Sequence, residues 1–188
     1  MYTVEAGGEV FHLPSPKKKT RKQKWFHISG ECLGDEFTFN PRNPYGWDRG
    51  GEPCHPRICV APTPQHCLGA IRHRLGTGNH YIYVTDEIHA YFPIHQRFNE
   101  NVAYNVWEDM SNLEFKDYRY RARVTDAIVT LEKWLIQDTK MKFYAVITQE
   151  ESISLDSLVP WFSPGDPSHF ERQAEAIEKM GEYLEDII

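Results

Sequence analysis

The run Trp25-Phe26-His27-Ile28-Ser29 (residues 25–29) decides the fold, because its aromatic and β-branched residues favour a strand that carries one titratable group. Two later runs have the same character. Residues 56–63, Pro-Arg-Ile-Cys-Val-Ala-Pro-Thr, carry an arginine, and residues 130–134, Thr-Leu-Glu-Lys-Trp, carry the carboxylate of Glu132. If all three runs are strands of one sheet, His27 and Glu132 share a cleft with the 57–63 segment.

Length and composition indicate an ordinary globular protein. A chain of 188 residues, with 40% apolar and 26% charged residues, is large enough for one domain with its own core. No apolar run approaches the roughly 20 residues that a membrane helix needs. The first residues lack the basic and apolar regions of a signal peptide. We therefore expect a cytoplasmic protein with no membrane partner.

Positive charge is concentrated before the first strand, although the net charge is −6. The cations of this run are Lys17, Lys18, Lys19, Arg21, Lys22 and Lys24. Such a run can bind the phosphates of a nucleic acid, but no aromatic residue interleaves this one, which favours a solvated linker. We divide the chain into a basic N-terminal arm, residues 1–24, and a single domain, residues 25–188.

The four cysteines indicate neither a disulfide scaffold nor a metal site. They are Cys32, Cys54, Cys59 and Cys67. Four cysteines are few for a disulfide-stabilised chain of this length, and their spacing contains no Cys-x-x-Cys pair and fits no zinc signature. We expect reduced, mostly buried thiols and no bound metal.

Short apolar or alternating runs predict most of the strands. The predicted strands are residues 9–13 (an edge strand), 25–29, 36–39, 58–61, 80–84, 129–136, 141–148 and 153–155. Residues 137–140 suit a hairpin turn between the sixth and seventh of them. Residues 40–55 are rich in Pro, Gly and Asn and predict a long loop, which is typical of a functional or mobile segment.

Capping signals predict two helices. The first begins with Thr63 as N-cap and Pro64 in its first turn. The last is capped by Asp166, continues to the end of the chain with one apolar face, and carries an acidic opposite face. Residues 105–110 predict a further helical turn. Together these elements predict an α+β fold with a mostly antiparallel sheet.

Three of the runs also resemble a known family. Residues 26–29 resemble the apolar-His-Gly-Ser/Thr strand of the ADP-ribosyltransferase superfamily, in its poly(ADP-ribose) polymerase and RNA 2′-phosphotransferase branch. Residues 57–61 and the small-residue helix after them resemble its Gly-Ile-Tyr-Phe-Ala strand and helix, and residues 131–136 resemble its late strand with a Glu. The layout is also similar to that of short phage and bacterial proteins. The resemblance implies a split antiparallel sheet in a single ADP-ribosyltransferase-like domain, and NAD as a substrate.

The resemblance, with the chemistry of the residue types, assigns candidate roles. Glu132 would stabilise the oxocarbenium charge that develops when the nicotinamide–ribose bond breaks, and His27 would bind a ribose hydroxyl as a neutral imidazole. The candidate NAD-binding residues are Ser29 and Thr63 for the carboxamide or a phosphate, Arg42 and Arg57 for phosphates, and Tyr83 and Trp134 for an aromatic contact. Each also has a structural alternative: strand histidines and glutamates often make no site, loop arginines bind loop carbonyls, and the aromatic residues suit a core.

The chain departs from the family at three positions, which leaves the function open. Ile28 stands at the glycine position, and Cys59 and Ala70 stand where the family has aromatic residues against the nicotinamide. Three hypotheses follow. The chain is an NAD-dependent ADP-ribosyltransferase that modifies a protein or a nucleic acid, a catalytically degenerate nucleotide-binding relative, or a protein-interaction module such as a phage inhibitor of a host protein.

Overall fold

A computed structural model describes residues 2–6, 9–13, 24–42, 56–86, 103–105, 129–135, 137–159 and 169–188. The described residues form an α+β fold whose paired strands are antiparallel. The strands are β1 (Tyr2–Ala6), β2 (Glu9–Leu13), β3 (Trp25–Ser29), β4 (Glu36–Phe39), β5 (Ile58–Val60), β6 (His80–Thr85), β7 (Ala103–Asn105), β8 (Lys133–Leu135) and β9 (Thr139–Ile147). The helices are α1 (Pro64–Ala70), a 3₁₀ turn (Arg72–Arg74), α2 (Gln149–Leu158) and α3 (His169–Glu185). No helix in these ranges is long and apolar enough to cross a membrane.

The strands form one hairpin and two larger sheets. Among the described residues, β1 and β2 pair with each other alone, whereas β3-β6-β9-β4 make a four-stranded sheet and β5-β8-β7 a three-stranded sheet. The two larger sheets meet at β3 and β5, where Phe26 and Ala61 exchange two backbone hydrogen bonds of 2.8 and 3.0 Å. The backbone pairing is therefore almost continuous from one sheet to the next, with a split beside β3.

The four-stranded sheet is buried on both faces at strand β6, whereas β4 and β9 keep exposed residues such as Phe37 and Tyr144. Neighbouring residues of β6 show this: Ile82 and Tyr83 are both fully buried but belong to different core clusters. Ile82 packs with residues of α1, α2 and α3, and Tyr83 packs with residues of β5 and β8. The sheet thus lies between the helices and the three-stranded sheet.

Helix α1 begins as the sequence predicts. The Thr63 hydroxyl accepts a hydrogen bond from the backbone N–H of His66, and Pro64 lies in the first turn. Helix α1 packs closely on α3 at Gly69, where an added Cβ would lie 2.8 Å from the side-chain carbons of Ile177. This close approach fixes the C-terminal end of α1, which contributes to the candidate site.

Residues 153–155 are not a strand, and this prediction was wrong. They lie inside α2, whose N-terminus is a complete capping box: the Thr148 hydroxyl accepts from the Glu151 N–H at 3.3 Å, and the Glu151 carboxylate accepts from the Thr148 N–H at 2.7 Å. The signal stands in the sequence as Thr148-Gln149-Glu150-Glu151.

Removing this cap is expected to lower the stability of the fold. We expect Thr148→Ala to reduce the free energy of unfolding by about 1 kcal/mol, because the Glu151 N–H in the first turn loses its acceptor. Thr148→Ser keeps the hydroxyl and serves as the control, with a change of less than about half of that. Urea unfolding followed by circular dichroism measures both, and equal losses in the two variants would contradict the capping role.

The predicted hairpin between residues 129–136 and 141–148 was also wrong. β8 pairs with β5 and β7, whereas β9 pairs with β6 and β4, so the two strands belong to different sheets. β8 begins only at Lys133, because Thr130 and Leu131 form a turn in which Leu131 adopts a left-handed φ of 52°. Glu132 therefore precedes a strand instead of lying inside one.

Several of the remaining predictions are confirmed, and others concern residues outside the described ranges. Strands β2, β3, β4, β5, β6 and β9 match the predicted segments within two residues. Helix α3 has the predicted acidic face, with four exposed glutamates, Glu175, Glu178, Glu182 and Glu185. Asn105 ends strand β7, and the rest of the predicted helical turn, residues 106–110, lies outside the described residues. The cap at Asp166, the loop residues 43–55 with Cys54, and the basic residues 17–22 lie outside the described residues.

Candidate functional site

A cleft lies at the split between the two larger sheets. Its volume is about 80 Å³. The cleft is lined by His27 and Ile28 of β3, Cys59, Val60 and Ala61 at β5, Cys67, Ala70 and Ile71 from α1 and its end, and Glu132. His27 and Glu132, which are far apart in sequence, therefore line one cleft, although the three runs belong to two sheets and not to one. Ile28, Cys59 and Ala70, the three positions at which the chain departs from the resembled pattern, line it as well.

His27 is held as a neutral imidazole of defined tautomer. Its Nδ1 lies 2.8 Å from the carbonyl oxygen of Cys59. Because a carbonyl only accepts, Nδ1 carries the proton and donates, and Nε2 is left as the acceptor nitrogen. The pKa of His27 is lowered chiefly by burial, while the bond to the Cys59 carbonyl opposes this effect and the charge of Arg42 adds to it.

These shifts predict that acid destabilises the fold. The pKa values of His27, His66 and His80 are all lowered by burial, so the unfolded chain, with a histidine pKa of 6.5, binds protons more readily than the folded one. Stability from these groups is thus present above pH 6.5 and is lost as the pH falls below it.

The expected result is a lower free energy of unfolding at about pH 5.5 than at about pH 7.5, with a smaller loss in His27→Gln than in the wild type. Urea unfolding at the two pH values measures this difference. The variant retains part of the loss, because His66 and His80 remain. An identical loss in both proteins would show that His27 is not held neutral.

Glu132 is oriented by a neighbouring indole. The Trp134 Nε1–H donates to the Glu132 carboxylate oxygen Oε1 at 3.0 Å, and the Glu132 side chain is half-buried. The charge of Glu132 also reaches the thiol of Cys59. A carboxylate held by an indole N–H and placed in an apolar cleft can stabilise positive charge that develops on a bound molecule.

Arg57 and Cys59 stand beside this carboxylate. Arg57 is 5% exposed, and its guanidinium carbon lies 3.9 Å from the ring centroid of Trp134, which is a cation–π contact. The pKa of the Cys59 thiol is raised, first by burial and then by the charge of Glu132, while Arg57 opposes the shift. Cys59 is therefore a thiol and not a thiolate, which makes it a poor nucleophile.

Arg42 is paired with Arg57 through the backbone and carries an exposed cation. Arg42 and Arg57 exchange backbone hydrogen bonds of 3.0 and 3.2 Å, and the Arg42 side chain is exposed. Its charge reaches His27, whose pKa it lowers. Of the eight predicted site residues, two line the cleft, namely His27 and Glu132. Trp134 and Arg57 do not line it but are linked to Glu132 by contacts.

Ser29 and Thr63 do not line the cleft, and their hydroxyls have local partners. The Ser29 hydroxyl accepts from the N–H of Glu31 at 3.1 Å. The Thr63 hydroxyl caps α1 and lies 2.6 Å from Nδ1 of His66. Both residues therefore have a structural role that accounts for their presence.

Tyr83 also lies away from the cleft. It is fully buried, its hydroxyl donates to the Gly34 carbonyl at 3.2 Å, and it accepts from the Leu33 N–H at 2.7 Å. The tyrosine therefore holds the 33–34 loop against the core, which was the structural alternative for this residue.

The free thiols are not uniformly buried. Cys67 is buried and donates to the Phe26 carbonyl at 3.1 Å, Cys59 is half-buried, and Cys32 is exposed. Within the described ranges, no three His, Cys, Asp or Glu side chains are grouped closely enough to hold a metal ion.

Comparison of the chain with protein-family models, with curated proteins and with solved structures found no match. The functional inference therefore depends on the residues and geometry of the cleft.

Proposed function

We propose that this chain is an NAD-dependent ADP-ribosyltransferase that modifies a protein or nucleic-acid target. The observation that carries the proposal is that His27 and Glu132 line one cleft at the split between two antiparallel sheets. In support, the histidine strand β3 and the middle strand β5 flank the split, and Glu132 enters β8, the partner of β5. This order is the one that the resemblance to the superfamily implies.

The residues of the cleft suit the chemistry of the transfer. The bond between the nicotinamide nitrogen and the ribose carbon breaks, the nicotinamide leaves with the bonding electrons, and positive charge develops on the ribose. The Glu132 carboxylate, which is half-buried and held by the Trp134 indole N–H, stabilises that charge. His27, with its proton on Nδ1, accepts a hydrogen bond from a ribose hydroxyl at Nε2. An oxygen or nitrogen of the target then bonds to the ribose carbon and releases its proton.

A second candidate is a catalytically degenerate nucleotide-binding protein. Cys59 and Ala70 line the cleft where the family has aromatic residues, so neither position offers a ring for the nicotinamide. The ring of Trp134 is only 1% exposed and is already in contact with Arg57. A cleft of this kind can retain nucleotide affinity while it loses turnover.

Incubation of the purified chain with labelled NAD separates the two candidates. An active transferase releases nicotinamide and, when a cell lysate is added, transfers the label to protein or nucleic acid; nuclease and protease treatment then identifies the class of target. Saturable NAD binding without nicotinamide release would favour the degenerate protein. The absence of both binding and release would contradict both candidates.

A further inference from the structure

The position of the Glu132 side chain has to be fixed by neighbouring side chains. It follows the left-handed residue Leu131 and precedes the first paired residue of β8, so the sheet holds its backbone on one side only. A glutamate has three side-chain rotations, whose freedom costs free energy to suppress. A carboxylate that must meet a developing charge works best when neighbouring groups have already fixed its position.

Trp134 supplies the first restraint. Its indole N–H, which can only donate, reaches Oε1 of Glu132 at 3.0 Å. The indole is 1% exposed and belongs to a residue in the middle of β8, paired with Cys59 on one side and Tyr104 on the other. The donor is therefore part of the rigid sheet, and its direction is set by packing.

Arg57 supplies the second restraint, because its guanidinium lies 3.9 Å from the Trp134 ring centroid. Arg57 is itself buried, and its backbone is fixed by the two hydrogen bonds to Arg42. The stacked cation holds the ring plane and leaves the N–H edge directed at the carboxylate. The chain of contacts thus runs from Arg57 through Trp134 to Glu132.

We infer that Trp134, held by the Arg57 guanidinium, is a positioning residue that fixes the Glu132 carboxylate in the cleft. The inference rests on the proposed function for its catalytic consequence, while the contact itself stands independently of turnover. It replaces the direct NAD contacts that the sequence suggested for Arg57 and Trp134 with a role that acts through Glu132.

Nuclear magnetic resonance tests the contact without any enzymatic assay. The five tryptophans of the chain each give an indole N–H signal, and Trp134→Phe identifies the signal of Trp134 by its loss. In the wild type we expect this signal to shift as the pH is lowered and one carboxylate is protonated, because a charge-assisted hydrogen bond weakens. Glu132→Gln keeps an acceptor oxygen but has no titration, so the pH-dependent shift should vanish.

Enzyme kinetics tests the effect of this contact on catalysis. We expect Trp134→Phe to lower kcat for nicotinamide release by about tenfold, with KM for NAD changed by less than about twofold, since one hydrogen bond to a charged group is lost while the ring remains. Arg57→Lys keeps the charge but removes the flat stacked group, and should lower kcat by a smaller factor. Trp25→Phe, which removes another buried indole N–H away from the cleft, is the matched control and should leave kcat unchanged.

The outcomes distinguish the positioning role of Trp134 from the proposed NAD turnover. An indole signal that titrates in the wild type and not in Glu132→Gln, with a kcat effect specific to Trp134 and Arg57, supports the inference. A signal that is indifferent to Glu132→Gln overturns it, whether or not the protein turns over NAD. Equal kcat losses in Trp134→Phe and Trp25→Phe also overturn it. If the wild type releases no nicotinamide, the proposed function fails, and the indole titration alone decides whether Trp134 positions the carboxylate.

Discussion

Replacing Glu132 with glutamine is expected to lower NAD turnover by about 10²-fold or more while the protein stays folded, because one electrostatic stabiliser of the transition state is lost. Glutamine keeps the shape of the side chain and an oxygen that accepts from the Trp134 indole N–H. The change therefore removes the charge and little else. Nicotinamide release under saturating NAD measures the effect, and thermal unfolding verifies the fold.

The matched control is Glu178→Gln, which removes the same charge from the exposed acidic face of α3. We expect no change in turnover from it, since the residue lies on a solvated helix surface. A loss of stability with unchanged turnover in Glu132→Gln would show that Glu132 is a structural carboxylate and would remove it from the proposed mechanism. If the wild type does not turn over NAD, Glu132→Gln and His27→Ala should together weaken NAD binding.

Shortening Ile82 is expected to have the largest effect on stability. Ile82 is fully buried on β6, an interior strand of the four-stranded sheet. Its side chain packs in the core between this sheet and the helices. We expect Ile82→Ala to lower the free energy of unfolding by about 2–5 kcal/mol, through lost burial and the cavity left behind. Urea unfolding gives the value, provided that the variant unfolds in one transition.

Ile153→Ala is the control, because it deletes the same atoms from a side chain that is 55% exposed on α2. We expect a change within about 0.5 kcal/mol, as is usual for surface substitutions. A similar loss in both variants would mean that the helices do not cover this face of the sheet as the fold requires.

Local patterns were sufficient to predict the elements that make the cleft. Residues 25–29 form β3, Thr63 caps α1, and the buried run after Arg57 forms β5. The pairing of a carboxylate with an indole also follows from sequence, since Glu132 and Trp134 are two residues apart near a strand and can share a face. These features depend on short-range preferences, which a single sequence displays directly.

The errors arose where a tertiary partner decides the structure. Residues 129–136 and 141–148 have the pattern of a hairpin, yet β8 pairs with β5 and β7, which lie far away in sequence. The effect of the Glu132 charge on the Cys59 thiol likewise joins distant positions and has no local signal. The assignment of residues 153–155 as a strand was an avoidable error, because the capping box from Thr148 to Glu151 indicates a helix.

The central claim is that the cleft between His27 and Glu132 is the nucleotide site, and mapping NAD binding by nuclear magnetic resonance tests it most directly. We expect addition of NAD to shift the backbone signals of His27, Cys59, Ala70 and Ile71, which line the cleft, and these shifts to weaken in Glu132→Gln. The signals of the exposed glutamates of α3 should stay unchanged. Shifts confined to other surfaces, or no saturable shift at all, would contradict the account.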